Sequence, residues 1–215
     1  MAEKVIKPIY LTGIDFHSHI LPRIDDGAES IQKSLKLINK AVKCGVTKII
    51  ATPHFYANRI DVETFIARRQ KAFDLLLEQN PAIPIELGAE VLLFSGLENM
   101  ERIEELVMSD GETLLLELPL SEFIITDDYY YTVEALAKRF RVVLAHANRY
   151  SDYTVLQMIE AGALIQVNAE DLRSRRERIR VRRWMNSHLL YALGSDAHRK
   201  PSVYRYFKRA LKYLK

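Results

Sequence analysis

Cysteine is almost missing: Cys44 is the single one in 215 residues. That excludes an internal disulfide framework and a zinc site built on thiolates. A strong charge of one sign is missing too. Thirty-one Lys and Arg against 28 Asp and Glu leave a net charge of +3. This is too mild for a nucleic-acid binder, and none is expected as a partner, but it does not repel an anionic substrate. No apolar run reaches the length of a membrane span, so no insertion is expected. The start of the chain (Glu3, Lys4, Lys7, Pro8) lacks the hydrophobic stretch of a signal peptide, and a cytoplasmic location is the expectation. No linker, repeat or low-complexity tract interrupts the chain, so 1–215 is read as a single domain. A hydrophobic fraction of 48% and a charged fraction of 27% are those of an ordinary globular protein.

Short apolar runs alternate with helical periodicity through the whole length. The spacing predicts strands over 9–16, 46–52, 83–93, 113–118, 141–145, 163–168 and 189–193. Helices are predicted over 30–43, 61–79, 97–108, 127–140, 152–161, 172–186 and 201–214. Ser30 is read as an N-cap, and Asn80-Pro81 as a stop. Such alternation predicts an α/β protein with a parallel sheet. Seven strands suit a closed or nearly closed barrel, and an open sheet is the alternative.

In parallel barrels, chemistry collects where strands pass into the following loops, because those ends share one face. The ionisable residues follow that rule. His17, His19 and Asp26 come after the first strand and His54 after the second. Glu90 and Glu117 close the third and fourth. His146 and Arg149 follow the fifth, and Asp196 and His198 the seventh. Strand six ends on Gln166 and Asn168 and offers nothing ionisable. Five of the six histidines stand at these ends; only His188 does not. His17 and His19 are two apart, so on a strand both rings project together.

Imidazoles and carboxylates without thiolates suit manganese, iron or zinc. Nine such groups exceed the needs of one ion, so two or three divalent ions are expected. Arg149 is no ligand; its fork and fixed charge suit a phosphate oxygen. These residues point to phosphate-ester hydrolysis.

The runs Asp15-Phe16-His17-Ser18-His19, Thr52-Pro53-His54, Gly88-Ala89-Glu90, His146 and Gly194-Ser195-Asp196-Ala197-His198 resemble the PHP (polymerase and histidinol phosphatase) superfamily. With His19-Ile20-Leu21-Pro22, Asp25-Asp26-Gly27-Ala28 and Ala51-Thr52-Pro53-His54, the chain is most similar to the bacterial tyrosine-protein phosphatases of capsular and exopolysaccharide operons. The resemblance implies a distorted seven-stranded TIM-like β/α barrel, a trinuclear site often filled by manganese, and hydrolysis of phosphotyrosine by metal-activated water. The substrate it implies is a phosphotyrosine protein such as a tyrosine-kinase tail, and an oligomer is compatible with it. It implies His17, His19, Glu90 and Asp196 on one ion, and Glu90, Glu117 and His146 on a second. Asp26, His54 and His198 fall on a third, with Asp25 an alternative to Asp26. Arg149 matches the phosphate-binding arginine, and His198 and Asp26 are candidates for moving the leaving-group proton.

Departures from the pattern bear on substrate. Arg23 stands where glycine is usual, as a phosphate contact or a solvated loop residue. His146-Ala147-Asn148-Arg149 replaces His-Pro-Glu-Arg, and the second arginine expected after His198 has no clean match, with Arg199 or Lys200 as candidate substitutes. Cysteine phosphatase chemistry is disfavoured, because Ile50 stands where the arginine six places after Cys44 is needed. A basic run at 173–183 is read as a solvated helix face or as an attraction for an acidic partner. The alternatives are a small-molecule phosphatase of the histidinol-phosphate kind, a phosphodiesterase, or a non-catalytic domain that binds phosphorylated partners.

Overall fold

A computed structural model describes residues 8–119, 121 and 125–215; the stretch read above for a leader lies largely outside these residues. The elements alternate along the chain: β1 (Ile14–Ser18), α1 (Ile31–Lys43), β2 (Lys48–Ala51), β3 (His54–Phe55), α2 (Val62–Leu77), β4 (Ile85–Leu87) and β5 (Glu90–Leu92). Then come β6 (Thr113–Glu117), α3 (Asp127–Ala137), β7 (Arg141–Leu144), α4 (Asp152–Glu160), β8 (Leu164–Asn168), α5 (Arg175–Asn186), β9 (Leu190–Gly194) and α6 (Tyr204–Leu214). Helix starts follow local chemistry. Ser30 caps α1 by accepting from Lys33 N, and Asp61 caps α2 by accepting from Thr64 N. Asn80, at φ 49° before Pro81, follows the end of α2.

Every strand pair is parallel, in an α/β fold of two sheets ordered β4-β2-β1 and β3-β5-β6-β7-β8-β9. The described residues thus hold nine short strands where seven were expected. The excess arises at one place. Pro53 has no N–H to continue a ladder, so the run 46–52 pauses and resumes at His54. Its neighbour breaks opposite it, at Gly88-Ala89. Main-chain bonds cross the gap, Gly88 N to Ala51 O at 2.9 Å and Glu90 N to Pro53 O at 3.0 Å. At the other flank, Asp196 N donates to His17 O (2.8 Å) and His19 N to Ala197 O (2.9 Å), tying the end of β1 to the loop after β9.

Two more expectations are corrected. β1 begins at Ile14, not at residue 9, because Gly13 (φ 79°) turns the chain and Ile9 N and Tyr10 N both donate to Tyr191 O. The helix expected over 97–108 is two 3-10 turns, Leu97–Asn99 and Ile103–Leu106. Arg102 interrupts it at φ 61°, with its guanidinium engaged by Glu105 and Glu63.

Most of the buried apolar side chains form one cluster running from Ile20 to Leu214, the packing of helices on strands. A smaller cluster takes Phe16, Ile50, Leu115, Val143 and Ala192 from β1, β2, β6, β7 and β9, with Leu164 packed against it. Leu115 lies two residues before Glu117 and Leu164 two before Gln166. By strand alternation these pairs share a face, the apolar member one layer deeper.

Candidate metal centre

All nine predicted ligand residues converge. Glu90 is the hub and is fully buried. Its Oε2 lies 3.2 Å from His17 Nε2, 3.2 Å from His19 Nε2 and 2.9 Å from His54 Nδ1, and its Oε1 lies 2.9 Å from His146 Nε2. Glu117 is 3.5 Å from His146 and 3.6 Å from His54. Asp196 Oδ1 is 3.4 Å from His19 Nε2 and 3.4 Å from His198 Nδ1. Asp26 Oδ1 is 3.4 Å from His198 Nε2 and 3.6 Å from His54 Nε2. Three ligand groups result: His17, His19 and Asp196; His54, Glu90 and Glu117; His19, Asp26, His54 and His198.

The outer ring nitrogens are already engaged, which aims the inner ones. His17 Nδ1 lies 3.2 Å from Gln166 Oε1, an atom that also accepts from His146 N at 2.6 Å. An oxygen that accepts there requires the Nδ1–H tautomer of His17, leaving its Nε2 lone pair toward the cluster. His19 Nδ1 meets Asp25 Oδ2 at 2.8 Å, and His198 Nδ1 meets Asp196 O at 3.0 Å. Asp25 also accepts from Gly27 N and His54 N. Asp25 therefore sits behind His19, while Asp26 faces the other imidazoles. A positive φ at His146 (34°) and Asp196 (51°) marks where the chain bends sharply to turn these side chains inward. Asp15, buried, accepts from Ser195 N at 2.7 Å and Ser195 Oγ at 2.6 Å and anchors that second bend.

The charges are strongly interdependent. Burial works against the Glu90 carboxylate, yet His17 and the other imidazoles packed around it, with His146 Nε2 bonded to Oε1, hold its pKa well below the ordinary value. Burial likewise opposes the His146 imidazolium, but Glu117 and Glu90 raise its pKa to about 9. Asp25 is also opposed by burial, and its bond to His19 brings its pKa down to about 2. His198 moves the other way: burial and the nearby His19 lower its pKa.

The donor set fits divalent cations. The buried Glu90 Oε2 and His54 Nδ1 each lack a well-directed hydrogen bond among the described residues, although each lies within 3 Å of the other. Two unsatisfied buried groups facing each other, beside imidazole lone pairs, are what a cation between them would satisfy.

A cavity of about 580 Å³ opens over the cluster. Arg149 stands on one side, its guanidinium paired with Asp196. Tyr56 and Arg59 stand on the other, Tyr56 stacked on His54 (ring centroids 5.1 Å apart) and Arg59 over the Tyr56 ring at 4.8 Å. Arg199 and Lys200 line a shallower cavity with Asp26, Asp196 and His198; Arg199 donates to Asp26 O at 2.9 Å. Arg23 is not brought in: it donates to Glu29 O and lines a separate cleft. Sequence reading missed Tyr56, Arg59 and Gln166. The first two follow a ligand in the chain, which was the available signal; Gln166 is uncharged and gave none.

A family model described as capsular polysaccharide synthesis, CpsB/CapC, matches residues 13–215. The chain is 26% identical over 198 residues to the tyrosine-protein phosphatase YwqE of Bacillus subtilis, covering 86% of this chain and 77% of that protein. It is 26% identical over 200 residues to the putative tyrosine-protein phosphatase CapC of Staphylococcus aureus, covering 86% and 76%. Among solved structures it resembles one from a study of YwqE from Bacillus subtilis and CpsB from Streptococcus pneumoniae, described as metal-dependent tyrosine phosphatases. The TM-score is 0.75 at 22% identity, over 94% of this chain and 85% of the other.

Proposed function

The chain belongs to the CpsB/CapC family of capsular polysaccharide synthesis proteins, and from that premise we propose that it is a metal-dependent protein-tyrosine phosphatase. The observation that carries this reading is the convergence of nine imidazole and carboxylate side chains under one cavity that Arg149 and Tyr56 also line. The likeness to the tyrosine-protein phosphatases of Bacillus subtilis and Staphylococcus aureus supports the substrate class.

His17, His19 and Asp196 would hold one ion; Glu90, Glu117, His54 and His146 a second; Asp26, His54 and His198, with His19 close by, a third. Manganese is the metal we favour, with iron or zinc as alternatives of like donor preference. When bound, such ions supply Lewis-acid polarisation of the phosphoryl group and a water acidic enough to act as nucleophile at neutral pH. The chain's own residues do the rest. Arg149 binds non-bridging phosphoryl oxygens and stabilises the charge that grows on them during in-line displacement. Tyr56, whose ring already meets His54 and Arg59, walls the mouth and offers its edge to the substrate's aromatic ring. A tyrosine leaving group has a pKa near 10, so it needs only modest help in taking up a proton. Where the third ion is absent, His198 and Asp26, at the solvent edge of the cluster, would be the groups to pass one on.

The two sheets are best read as a distorted seven-stranded β/α barrel of PHP type, with β2 and β3 as one interrupted strand and β4 and β5 as another. The bonds across the Pro53 gap and between the ends of β1 and β9 support this. The large apolar cluster from Ile20 to Leu214 supports one phosphoesterase domain over the chain. A phosphotyrosine protein, such as the tail of a tyrosine kinase, and a cytoplasmic setting complete the reading. No helix of the described residues is long and apolar enough to cross a membrane.

The test is turnover by manganese-loaded protein of matched phosphotyrosyl and phosphoseryl peptides and of histidinol phosphate. Preference for the phosphotyrosyl peptide is expected, with turnover strongly depressed in Arg149→Met. A strong preference for histidinol phosphate would replace this reading with a small-molecule one.

A further inference from the structure

We propose that a basic cleft between α5 and α6 is a second anion subsite, which holds a further phosphate or carboxylate group of the polypeptide whose phosphotyrosine enters the metal centre. The proposal rests on the phosphotyrosine-protein reading for its occupant.

The charge of this chain is segregated. Residues 173–215 carry 14 Lys and Arg against two acids, Glu177 and Asp196, in a protein whose net charge is only +3. Part of that excess lines a cleft of about 500 Å³ that presents Arg173, Arg178, Arg209 and Lys212 and no acidic side chain. The cleft is built rather than merely charged. Arg173 lies over the buried Tyr206 ring at 4.7 Å, and Arg178 over Tyr213 at 5.7 Å. Arg178 is tied further by bonds from Nε to Leu172 O (2.7 Å) and from Nη2 to Arg173 O (3.2 Å), and Tyr213 OH donates to Arg178 O (3.0 Å). Guanidiniums held in place this way lose less freedom on meeting an anion. Arg209 and Lys212 are exposed and have no hydrogen bond or ion pair among the described residues, so their charge is available.

Two features select the occupant. Arg205 and Arg173 both lie against Tyr206, and Arg182 and Arg178 both against Tyr213. The rings are thus occupied by the chain's own cations and leave no clear platform for stacking bases, which disfavours single-stranded nucleic acid. The cleft also adjoins the metal centre. Ala169 lines it, and the preceding Asn168 donates to Asp196 Oδ2 at 3.0 Å. Glu170 lines the shallow cavity beside Asp196 and His198 and also pairs with Arg173 at 3.2 Å. One extended polypeptide can therefore reach both places.

The experiment compares, on full-length manganese-loaded protein, a peptide with one phosphotyrosine against a series carrying a second phosphate at successive positions. Wild type is measured against R209E/K212E, by KM and kcat and by fluorescence anisotropy. p-Nitrophenyl phosphate reports the metal centre alone. The expected result is a KM about tenfold lower for the best doubly phosphorylated peptide, an advantage abolished by the double variant and by 1 M NaCl. Turnover of p-nitrophenyl phosphate stays unchanged in R209E/K212E. Equal KM values for one and two phosphates, or an advantage that survives charge reversal, would overturn the subsite. So would tighter binding of phosphatidylserine vesicles than of the doubly phosphorylated peptide. If wild type turns over no aryl phosphate yet binds that peptide through Arg209 and Lys212, the subsite stands and the phosphatase reading falls.

Discussion

Replacing Gln166 by Leu removes a side chain that touches two of the candidate ligands at once. Gln166 Oε1 accepts from His146 N at 2.6 Å and meets His17 Nδ1 at 3.2 Å, while Nε2 donates to Asn168 Oδ1 at 2.9 Å. Gln166 and His17 are fully buried, and His146 and Asn168 nearly so, so water does not readily replace these bonds. Leucine fills nearly the same volume, and the main effect is polar. A buried group left unpaired costs about 1–3 kcal/mol, and three such losses, partly relaxed, come to about 3 kcal/mol. In a chain of this size that lowers Tm by about 6–12 °C. The freed His17 ring and the freed backbone of His146 also lose their aim, and the loss of such an orienting partner weakens metal binding by about 10- to 100-fold. Urea unfolding in chelator measures the first effect, and manganese titration by calorimetry the second. A variant within about 0.5 kcal/mol of wild type that binds manganese equally well would refute the assignment of Gln166 as the support of both histidines.

Arg149→Met should lower kcat for a phosphotyrosyl peptide by about 100- to 1000-fold, the scale for losing a donor to developing charge, with manganese binding changed far less; steady-state kinetics and calorimetry on one preparation check both. Tyr56→Ala should reduce kcat/KM for aryl phosphates by about 3- to 10-fold, matching the ~0.5–1.5 kcal/mol of an aromatic pair, and leave alkyl phosphates nearly unaffected; parallel kinetics on p-nitrophenyl phosphate and an alkyl phosphate decide it. Asp171 should be a source of instability. Burial raises its pKa to about 6, and its Oδ2 has no hydrogen-bond partner among the described residues. A carboxyl raised in this way favours the folded state below the unfolded-state pKa, and that advantage is lost as pH rises through the folded value. Asp171→Asn should therefore be more stable than wild type by about 2 kcal/mol above pH ~6 and equal to it near pH ~4, as read by urea unfolding at both pH values.

Much of the architecture was legible in the sequence because its signals are local. Alternating apolar runs marked the strands, Ser30 and Asn80-Pro81 marked helix ends, and the ionisable residues stood out at strand ends. What failed to show had non-local causes. The interruption at Pro53 splits two strands because the neighbouring strand breaks opposite it, at Gly88-Ala89, and no single stretch records that pairing. The turn at Arg102 has no glycine or proline to mark it, and one of the two partners of its guanidinium, Glu63, lies 39 residues away. In the site, charge at a strand end was the guide, so the nine ligands and Arg149 were found, while the neutral Tyr56 and Gln166 and the loop residue Arg59 were not. Strand β8 looked empty, yet Gln166 and Asn168 orient His17, His146 and Asp196 from it. Asp25 and Asp26 were chemically interchangeable in the sequence; only the fold separates the carboxylate behind His19 from the one facing His54 and His198. Tyr56 needed the stacking on His54 to be noticed.

The most direct measurement is hydrolysis of a phosphotyrosyl peptide by protein stripped of metal with chelator, then given back manganese, iron or zinc, beside Glu90→Gln treated the same way. No turnover is expected in chelator, with recovery on metal addition, bound metal counted at two or three ions per chain, and little recovery in Glu90→Gln, because the Glu90 carboxylate lies between four histidines. Full activity in chelator, or a fully loaded protein that hydrolyses no phosphotyrosine, would contradict this expectation.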